Sequence, residues 1–126
     1  ENSYPFTVNL YFNDDLKLMS GEPLAEAVNF ISDFSPVGIG FNCIKSQLLK
    51  EYFQKNSPSK NWGLYFNCGK GDVRDKIMSC DLDPNNYIEE IKPFLEMNPM
   101  YVGSCCGSSP NHTKAIKELF DEVYRN

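Results

Sequence analysis

The chain alternates between short runs of β-forming residues and longer amphipathic patterns, and this alternation restricts its possible folds more than any other feature. Runs rich in β-branched and aromatic residues predict strands at residues 6–12, 37–43, 62–67 and 100–103. Each run is followed by apolar residues at helical spacing. Four consecutive βα units predict an α/β fold with a parallel sheet and right-handed crossovers.

Prolines and one acidic residue mark the predicted helix starts. Pro23 and Pro110 suit the first turn of a helix, and Asp83 followed by Pro84 is a capping residue with a first-position proline. Pro93 lies inside the third helical pattern and predicts a kink or an early end there. The residues expected to face the core are Leu24, Ala27, Val28, Ile31 and Phe34; Leu48, Leu49, Tyr52 and Phe53; Tyr87, Ile88, Ile91, Phe94 and Leu95; and Ala115, Ile116, Leu119, Phe120 and Val123. Residues 68–82 show neither the alternation of a strand nor the apolar spacing of a helix, and they are expected to be irregular.

Cysteines follow three of the predicted strands. Cys43 ends the second strand, Cys68 follows the third, and Cys105 and Cys106 follow the fourth between two glycines. Parallel sheets place their functional loops at the carboxyl ends of the strands, so these thiols are expected at one edge. Cys43, Cys105 and Cys106 together supply three thiolates, the number of protein ligands in a zinc site that leaves its fourth position open for substrate. Spacing alone leaves open that Cys43 is a small buried residue.

Composition excludes several classes of function. With 126 residues, 41% of them hydrophobic, the chain is compatible with one globular domain. The formal net charge of -5, with scattered basic residues, argues against nucleic-acid binding. No apolar run approaches the ~20 residues of a membrane span. Five cysteines, an odd count, favour a reducing compartment with metal-bound or free thiols over a disulfide framework, so we expect a cytoplasmic protein.

Three segments, in order along the chain, resemble the homocysteine S-methyltransferase family. Residues 38–43, GIGFNC, are similar to its Gly-x-Asn-Cys signature, and residues 103–112, GSCCGSSPNH, are similar to its Gly-Gly-Cys-Cys-Gly-Thr-x-Pro-x-His signature. Residues 21–28, GEPLAEAV, resemble the start of a helix in the family. The resemblance extends over nearly all of residues 1–126.

The resemblance implies a fold, a cofactor and a reaction. Family members are (β/α)8 barrels that bind zinc through the equivalents of Cys43, Cys105 and Cys106 and transfer a methyl group to homocysteine from S-methylmethionine, S-adenosylmethionine or betaine. The chain corresponds to the second half of that domain, strands five to eight, because a complete barrel takes about 250 residues. The residues that select the methyl donor belong largely to the other half.

The sequence departs from the family pattern near the implied site. Ser104 replaces the second glycine before the cysteine pair, which would place a side chain beside the metal. Where the family typically has Tyr-Pro-Asn-Ser-Gly-Glu, residues 65–70 read YFNCGK, so that a thiol and a lysine replace a hydroxyl and a carboxylate.

The remaining polar candidates have alternative interpretations. Asn42 and Asn67 are the candidate substrate-binding residues, although both could instead tie loop backbone together. Cys68 and Cys80 are expected to be ordinary loop thiols; the alternative is a redox pair among the five cysteines, although the Cys-x-x-Cys spacing that would support it is absent. His112 is expected to pack or hydrogen-bond near its helix start; the alternative is that it closes the metal site. Ser109 is expected to cap that helix.

Two functional classes follow. The first is a homocysteine methyltransferase domain that works only when its other half is supplied, with no protein side chain required as a general base. The second is a non-catalytic remnant that binds zinc or acts as an interaction module. An open four-stranded sheet would expose two edges and one face, so we expect a homo-oligomer or pairing with a complementary half-barrel. The candidates for that face, depending on register, are Phe6, Val8, Leu10, Ile39, Phe41, Leu64, Phe66 and Val102.

Overall fold

Four parallel strands form a sheet in the order β1-β2-β3-β6. The computed structural model describes residues 4–70 and 79–125. The strands are β1 (Thr7–Leu10), β2 (Gly38–Ile44), β3 (Gly63–Phe66), β4 (Gly69–Lys70), β5 (Ser79–Cys80) and β6 (Tyr101–Ser104), and the helices are α1 (Leu24–Ser32), α2 (Ser46–Lys55), α3 (Pro84–Leu95) and α4 (Pro110–Arg125). The predicted α/β fold of four parallel βα units, as in half of a (β/α)8 barrel, is confirmed.

Local sequence accounts for the helix boundaries. Asp83 caps α3 as predicted, because its carboxylate accepts hydrogen bonds from the backbone N–H groups of Asn85 and Asn86 at 2.9 and 3.0 Å. Helix α3 continues through Pro93 and ends at Leu95, the last residue of its predicted apolar face, so the early end predicted at Pro93 is wrong. Pro23 directly precedes α1 rather than occupying its first turn. Helix α1 ends before Phe34, whose side chain is exposed, and Val123 of α4 is also exposed, so both were wrongly assigned to the core.

The core lies between the sheet and the helices. Phe41 of β2 is its aromatic centre, with ring centroids 5.8 Å from Phe12, 5.4 Å from Tyr52 and 6.5 Å from Trp62. One continuous cluster of buried side chains joins this group to residues of all four helices. Burial of such large apolar groups is the main stabilising contribution in a domain of this size.

The open face of the sheet differs from its prediction. Ile39, Phe41, Leu64 and Phe66 were expected on the open face but are buried in the core. The opposite face instead carries glycines beneath two tyrosines. A methyl group at Gly63 would overlap the Tyr101 ring, and one at Gly103 would overlap the Tyr65 ring. The Tyr101 hydroxyl donates to the Asn9 side chain across the same face.

The segment expected to be irregular contains a short antiparallel pair. Gly69 pairs with Cys80, and Lys70 pairs with Ser79. The rest of that segment, residues 71–78, lies outside the described residues. Among the helices that the structure describes, none has the length and hydrophobicity of a membrane span.

Candidate metal centre

Backbone hydrogen bonds join the loops that follow β2, β3 and β6. The Asn67 N–H donates to the Ile44 carbonyl at 3.1 Å, and the Cys105 N–H donates to the Phe66 carbonyl at 3.0 Å. The Cys68 N–H donates to the Cys106 carbonyl at 3.1 Å. The carboxyl ends of three neighbouring strands are therefore held together, as the parallel topology predicts.

A backbone irregularity positions Cys43. The pairing of β2 with β3 shifts register between Asn42 and Ile44, so Cys43 is the extra residue of a bulge. Its φ of 60° lies in the left-handed region. A residue other than glycine there costs about 1–3 kcal/mol, and such residues are concentrated at functional sites. The Cys43 side chain is buried.

Cys105 and Cys106 lie in the turn between β6 and α4. Their Sγ atoms are 3.9 Å apart, and both residues are half-buried. The Ser108 hydroxyl and backbone N–H both donate to the Cys105 carbonyl, and Gly107 adopts a φ of 79° that completes the turn. This turn fixes the backbone that presents the two thiols.

The three cysteines predicted from the sequence converge. The Sγ atoms of Cys43, Cys105 and Cys106 all lie within 4.8 Å of one another, and none of the three forms a disulfide. Sulfur atoms that share a tetrahedral zinc ion at about 2.3 Å are separated by about 3.8 Å. The spacing and the chemistry of these donors therefore fit a thiophilic metal ion.

The environment of Cys43 opposes its ionisation while no cation is bound. Burial raises the pKa of the Cys43 thiol, and hydrogen bonding with Cys105 and Cys106 raises it further. Metal ligation requires thiolates, so binding of a cation would release protons. Metal affinity at such a site rises with pH.

The two candidate substrate residues have different environments. Asn42 is exposed at the end of β2, paired in register with the exposed Tyr65 of β3. Asn67 is buried, and its side-chain oxygen accepts a hydrogen bond from the Gly69 N–H at 2.9 Å. Asn67 thus ties its loop together, which was the alternative interpretation, whereas Asn42 is exposed and directly precedes Cys43 in the sequence.

Cys68, Cys80 and His112 form a second cluster, separate from the three cysteines. Cys68 and Cys80 form a disulfide with a Cα–Cα distance of 5.0 Å, so the prediction of ordinary thiols is wrong. His112 Nε2 lies 3.3 Å from each sulfur and 2.8 Å from the Leu82 carbonyl oxygen. Sequence reasoning missed this pairing because 12 positions separate the cysteines, and no local pattern brings them together.

His112 also bonds to the start of α4, as predicted. Its Nδ1 accepts a hydrogen bond from the Ser109 N–H at 3.0 Å and lies 2.8 Å from the Ser109 hydroxyl. The bond from the Ser109 N–H to the side chain of the third helical residue is one half of a capping box, whereas the Ser109 hydroxyl contacts the imidazole rather than a backbone N–H. His112 belongs to the disulfide cluster, so the alternative in which it closes the three-cysteine site is wrong.

Ser104 does not direct its hydroxyl to a metal. Its Oγ forms a hydrogen bond with the Thr113 hydroxyl of α4. The departure from glycine at this position therefore adds a link between β6 and α4.

Comparison with known proteins places the chain in one family. Residues 1–120 match the sequence profile described as Homocysteine S-methyltransferase. Comparison with curated proteins gives no significant match.

Proposed function

Because this chain belongs to the homocysteine S-methyltransferase family, we propose that its clustered cysteines serve methyl transfer to homocysteine. The product is methionine, and the donor is a sulfonium compound such as S-methylmethionine or S-adenosylmethionine. The single observation that carries the proposal is the convergence of Cys43, Cys105 and Cys106 at the carboxyl edge of the sheet.

Zinc is the proposed cofactor, held by Cys43, Cys105 and Cys106. Three thiolates form a soft donor set that suits zinc and leaves a fourth position for a substrate thiol. When bound, zinc supplies Lewis acidity that favours the thiolate form of homocysteine, which is the nucleophilic form.

The chain's own residues contribute position and exclusion of water. The bulge at Cys43 and the turn after β6 fix the three thiols before substrate arrives, which reduces the entropy lost in reaching a reactive geometry. The buried Cys43 closes the inner side of the cluster, while the half-buried Cys105 and Cys106 leave an approach from outside. Asn42, exposed at the same edge, is the proposed side-chain contact for the polar end of homocysteine.

We propose further that a second polypeptide completes this site. Among the described residues, β1 pairs only with β2, and β6 pairs only with β3, so each leaves one edge unpaired. Tyr65, Asn9 and Asn42 remain exposed on the open face. A second copy or a complementary half-barrel would cover both features. Light scattering should then give at least the mass of a dimer, and a stable monomer at micromolar concentration would contradict self-association.

A methyl-transfer assay tests the proposed activity. Zinc-loaded chain is incubated with homocysteine and S-methylmethionine, alone and with a separately produced first half of a family barrel, and methionine is quantified by mass spectrometry. We expect methionine with the completed assembly and none with its Cys105→Ser variant. The Cys80→Ser variant serves as a matched cysteine control that retains turnover.

The same assay addresses the alternative function. A complex that binds zinc and assembles with the first half but forms no methionine with either sulfonium donor would support a non-catalytic remnant. Turnover by the isolated chain would contradict the remnant and would show that no second half is needed.

A further inference from the structure

The two sulfurs of the Cys68–Cys80 disulfide differ in accessibility. The Cys68 side chain is only 2% exposed, whereas Cys80 on β5 is half-buried. A thiol that opens a disulfide must approach one sulfur and release the other. Access from solvent therefore favours attack at Cys80 and release of the Cys68 sulfur into the protein interior.

His112 is oriented to stabilise the released sulfur. Its Nδ1 accepts the hydrogen bond from the Ser109 N–H, so the neutral ring carries its hydrogen on Nε2. That N–H points into the cluster, 3.3 Å from both sulfurs and 2.8 Å from the Leu82 carbonyl oxygen, so it can stabilise whichever sulfur is released. A fixed N–H donor beside a leaving sulfur lowers the cost of developing negative charge there.

The same ring orientation argues against a second metal site. A histidine that binds a metal through Nε2 needs a lone pair on that nitrogen and usually donates its other N–H to an acceptor. In this structure, Nδ1 faces the Ser109 N–H, which is a donor. His112 is therefore arranged as a hydrogen-bond donor to the Leu82 carbonyl oxygen and the adjacent sulfurs rather than as a ligand.

We propose that Cys68 and Cys80 form a reversible thiol–disulfide site that exchanges with small thiols of the glutathione class at Cys80. The thiolate of a first small thiol forms a bond to the Cys80 sulfur, and the Cys68–Cys80 bond breaks with its electron pair on Cys68, which then takes up a proton. A second small thiolate attacks the small-molecule sulfur of the mixed disulfide and releases Cys80. Two small thiols are oxidised to one small-molecule disulfide, and the protein disulfide is reduced to two thiols. The reverse sequence uses the small-molecule disulfide as oxidant.

The exchange site lies against the three-cysteine cluster. The backbone of Cys68 bonds to the Cys106 carbonyl at 3.1 Å. A side chain at Gly107 would lie 3.4 Å from the Cys80 backbone nitrogen. The disulfide thus links β5 covalently to the loop whose backbone bonds to Cys106, one of the three proposed metal ligands. This site stands on its own geometry and does not require the proposed methyl transfer.

Differential alkylation tests the proposal on the full chain. The protein is equilibrated with glutathione and its disulfide at a series of ratios and quenched in acid. Free thiols are labelled with one reagent, the remaining disulfides are reduced, and the thiols released by reduction are labelled with a second reagent. Mass spectrometry then measures the two labels on each cysteine. Trypsin cleavage after Lys70 separates Cys68 from Cys80. We expect the pair to follow the buffer ratio and to reach the same endpoint from the oxidised and the reduced protein.

Single variants assign the roles of the two sulfurs and the histidine. In Cys68→Ser, the Cys80 thiolate should attack glutathione disulfide, forming a mixed disulfide and releasing one glutathione, at least about tenfold faster than the Cys68 thiolate does in Cys80→Ser, because of the difference in access. His112→Gln should slow reduction of the disulfide by about tenfold or more. Glutamine at this position retains an acceptor for the Ser109 N–H, so the helix start is preserved. Circular dichroism of each variant verifies the fold.

Three results would overturn the proposal. A disulfide that stays oxidised in excess glutathione while the chain remains folded would be purely structural. Equal capture rates at the two cysteines would remove the assignment of Cys80 as the attacked sulfur. A second zinc ion per reduced chain, lost in His112→Gln, would identify the cluster as a metal site.

Discussion

Replacing Cys43 with serine is expected to abolish zinc binding by the chain. Cys43 occupies a bulge whose backbone places its sulfur within 4.8 Å of the other two thiols, and no described neighbour supplies a substitute sulfur at that point. A serine hydroxyl remains protonated at neutral pH and is a poor zinc ligand. We expect affinity to fall by more than about 100-fold, measured by competition with a chromophoric chelator and by metal analysis.

The chain provides a matched control for this experiment. Cys80→Ser also removes one sulfur from the same edge of the sheet, but Cys80 contacts His112 and Leu82 rather than the three-cysteine cluster. Zinc content near one ion per chain should persist in Cys80→Ser. Equal zinc loss in the two variants would mean that the cysteines do not act as two separate groups.

Truncating Tyr87 should produce a large loss of stability. Tyr87 is fully buried, its ring centroid lies 5.3 Å from Phe66 and 5.1 Å from His112, and its hydroxyl donates to the Phe66 carbonyl at 2.6 Å. Tyr87→Ala removes a large core side chain and should lower the free energy of unfolding by about 3–5 kcal/mol. Tyr87→Phe removes only the donor and should cost about 1–2 kcal/mol. Denaturant titration followed by circular dichroism measures both.

Tyr124 offers a control for the hydroxyl effect. Its hydroxyl also donates to a backbone carbonyl, that of Leu95, at 2.9 Å, but its side chain is 42% exposed. Water can replace this bond, so Tyr124→Phe should change stability by less than about 0.5 kcal/mol. If Tyr87→Phe proved as neutral as Tyr124→Phe, the buried hydrogen bond to β3 would not contribute as argued.

The sequence predicts the elements and the edge on which the cysteines lie because both depend on local patterns. The spacing of apolar residues identifies each strand and helix. Because the strands are parallel, the carboxyl ends of β2, β3 and β6 then lie at the same edge of the sheet. The bulge at Cys43 could not be predicted, because GIGFNC contains no residue that favours a left-handed conformation at the cysteine. The cost of this backbone conformation must be offset by tertiary structure, including the pairing of β2 with β3.

Two other features depend on tertiary packing alone. Alternation along β2 shows that Ile39 and Phe41 share one face, but it does not show whether helices or solvent cover that face. The positions of the helices decide this, and they bury Ile39 and Phe41 while the glycine face carries Tyr65 and Tyr101. The pairing of Cys68 with Cys80 likewise depends on a contact between β4 and β5 that neither segment encodes locally.

The central claim is that three sulfurs far apart in sequence bind one metal ion, and X-ray absorption at the zinc edge tests it directly. The zinc-loaded chain is predicted to show three sulfur scatterers at about 2.3 Å and one lighter atom, with one sulfur lost in any preparation of Cys43→Ser that still binds zinc. A spectrum with two sulfurs and an imidazole shell would place the ion at Cys68, Cys80 and His112 and would contradict the account.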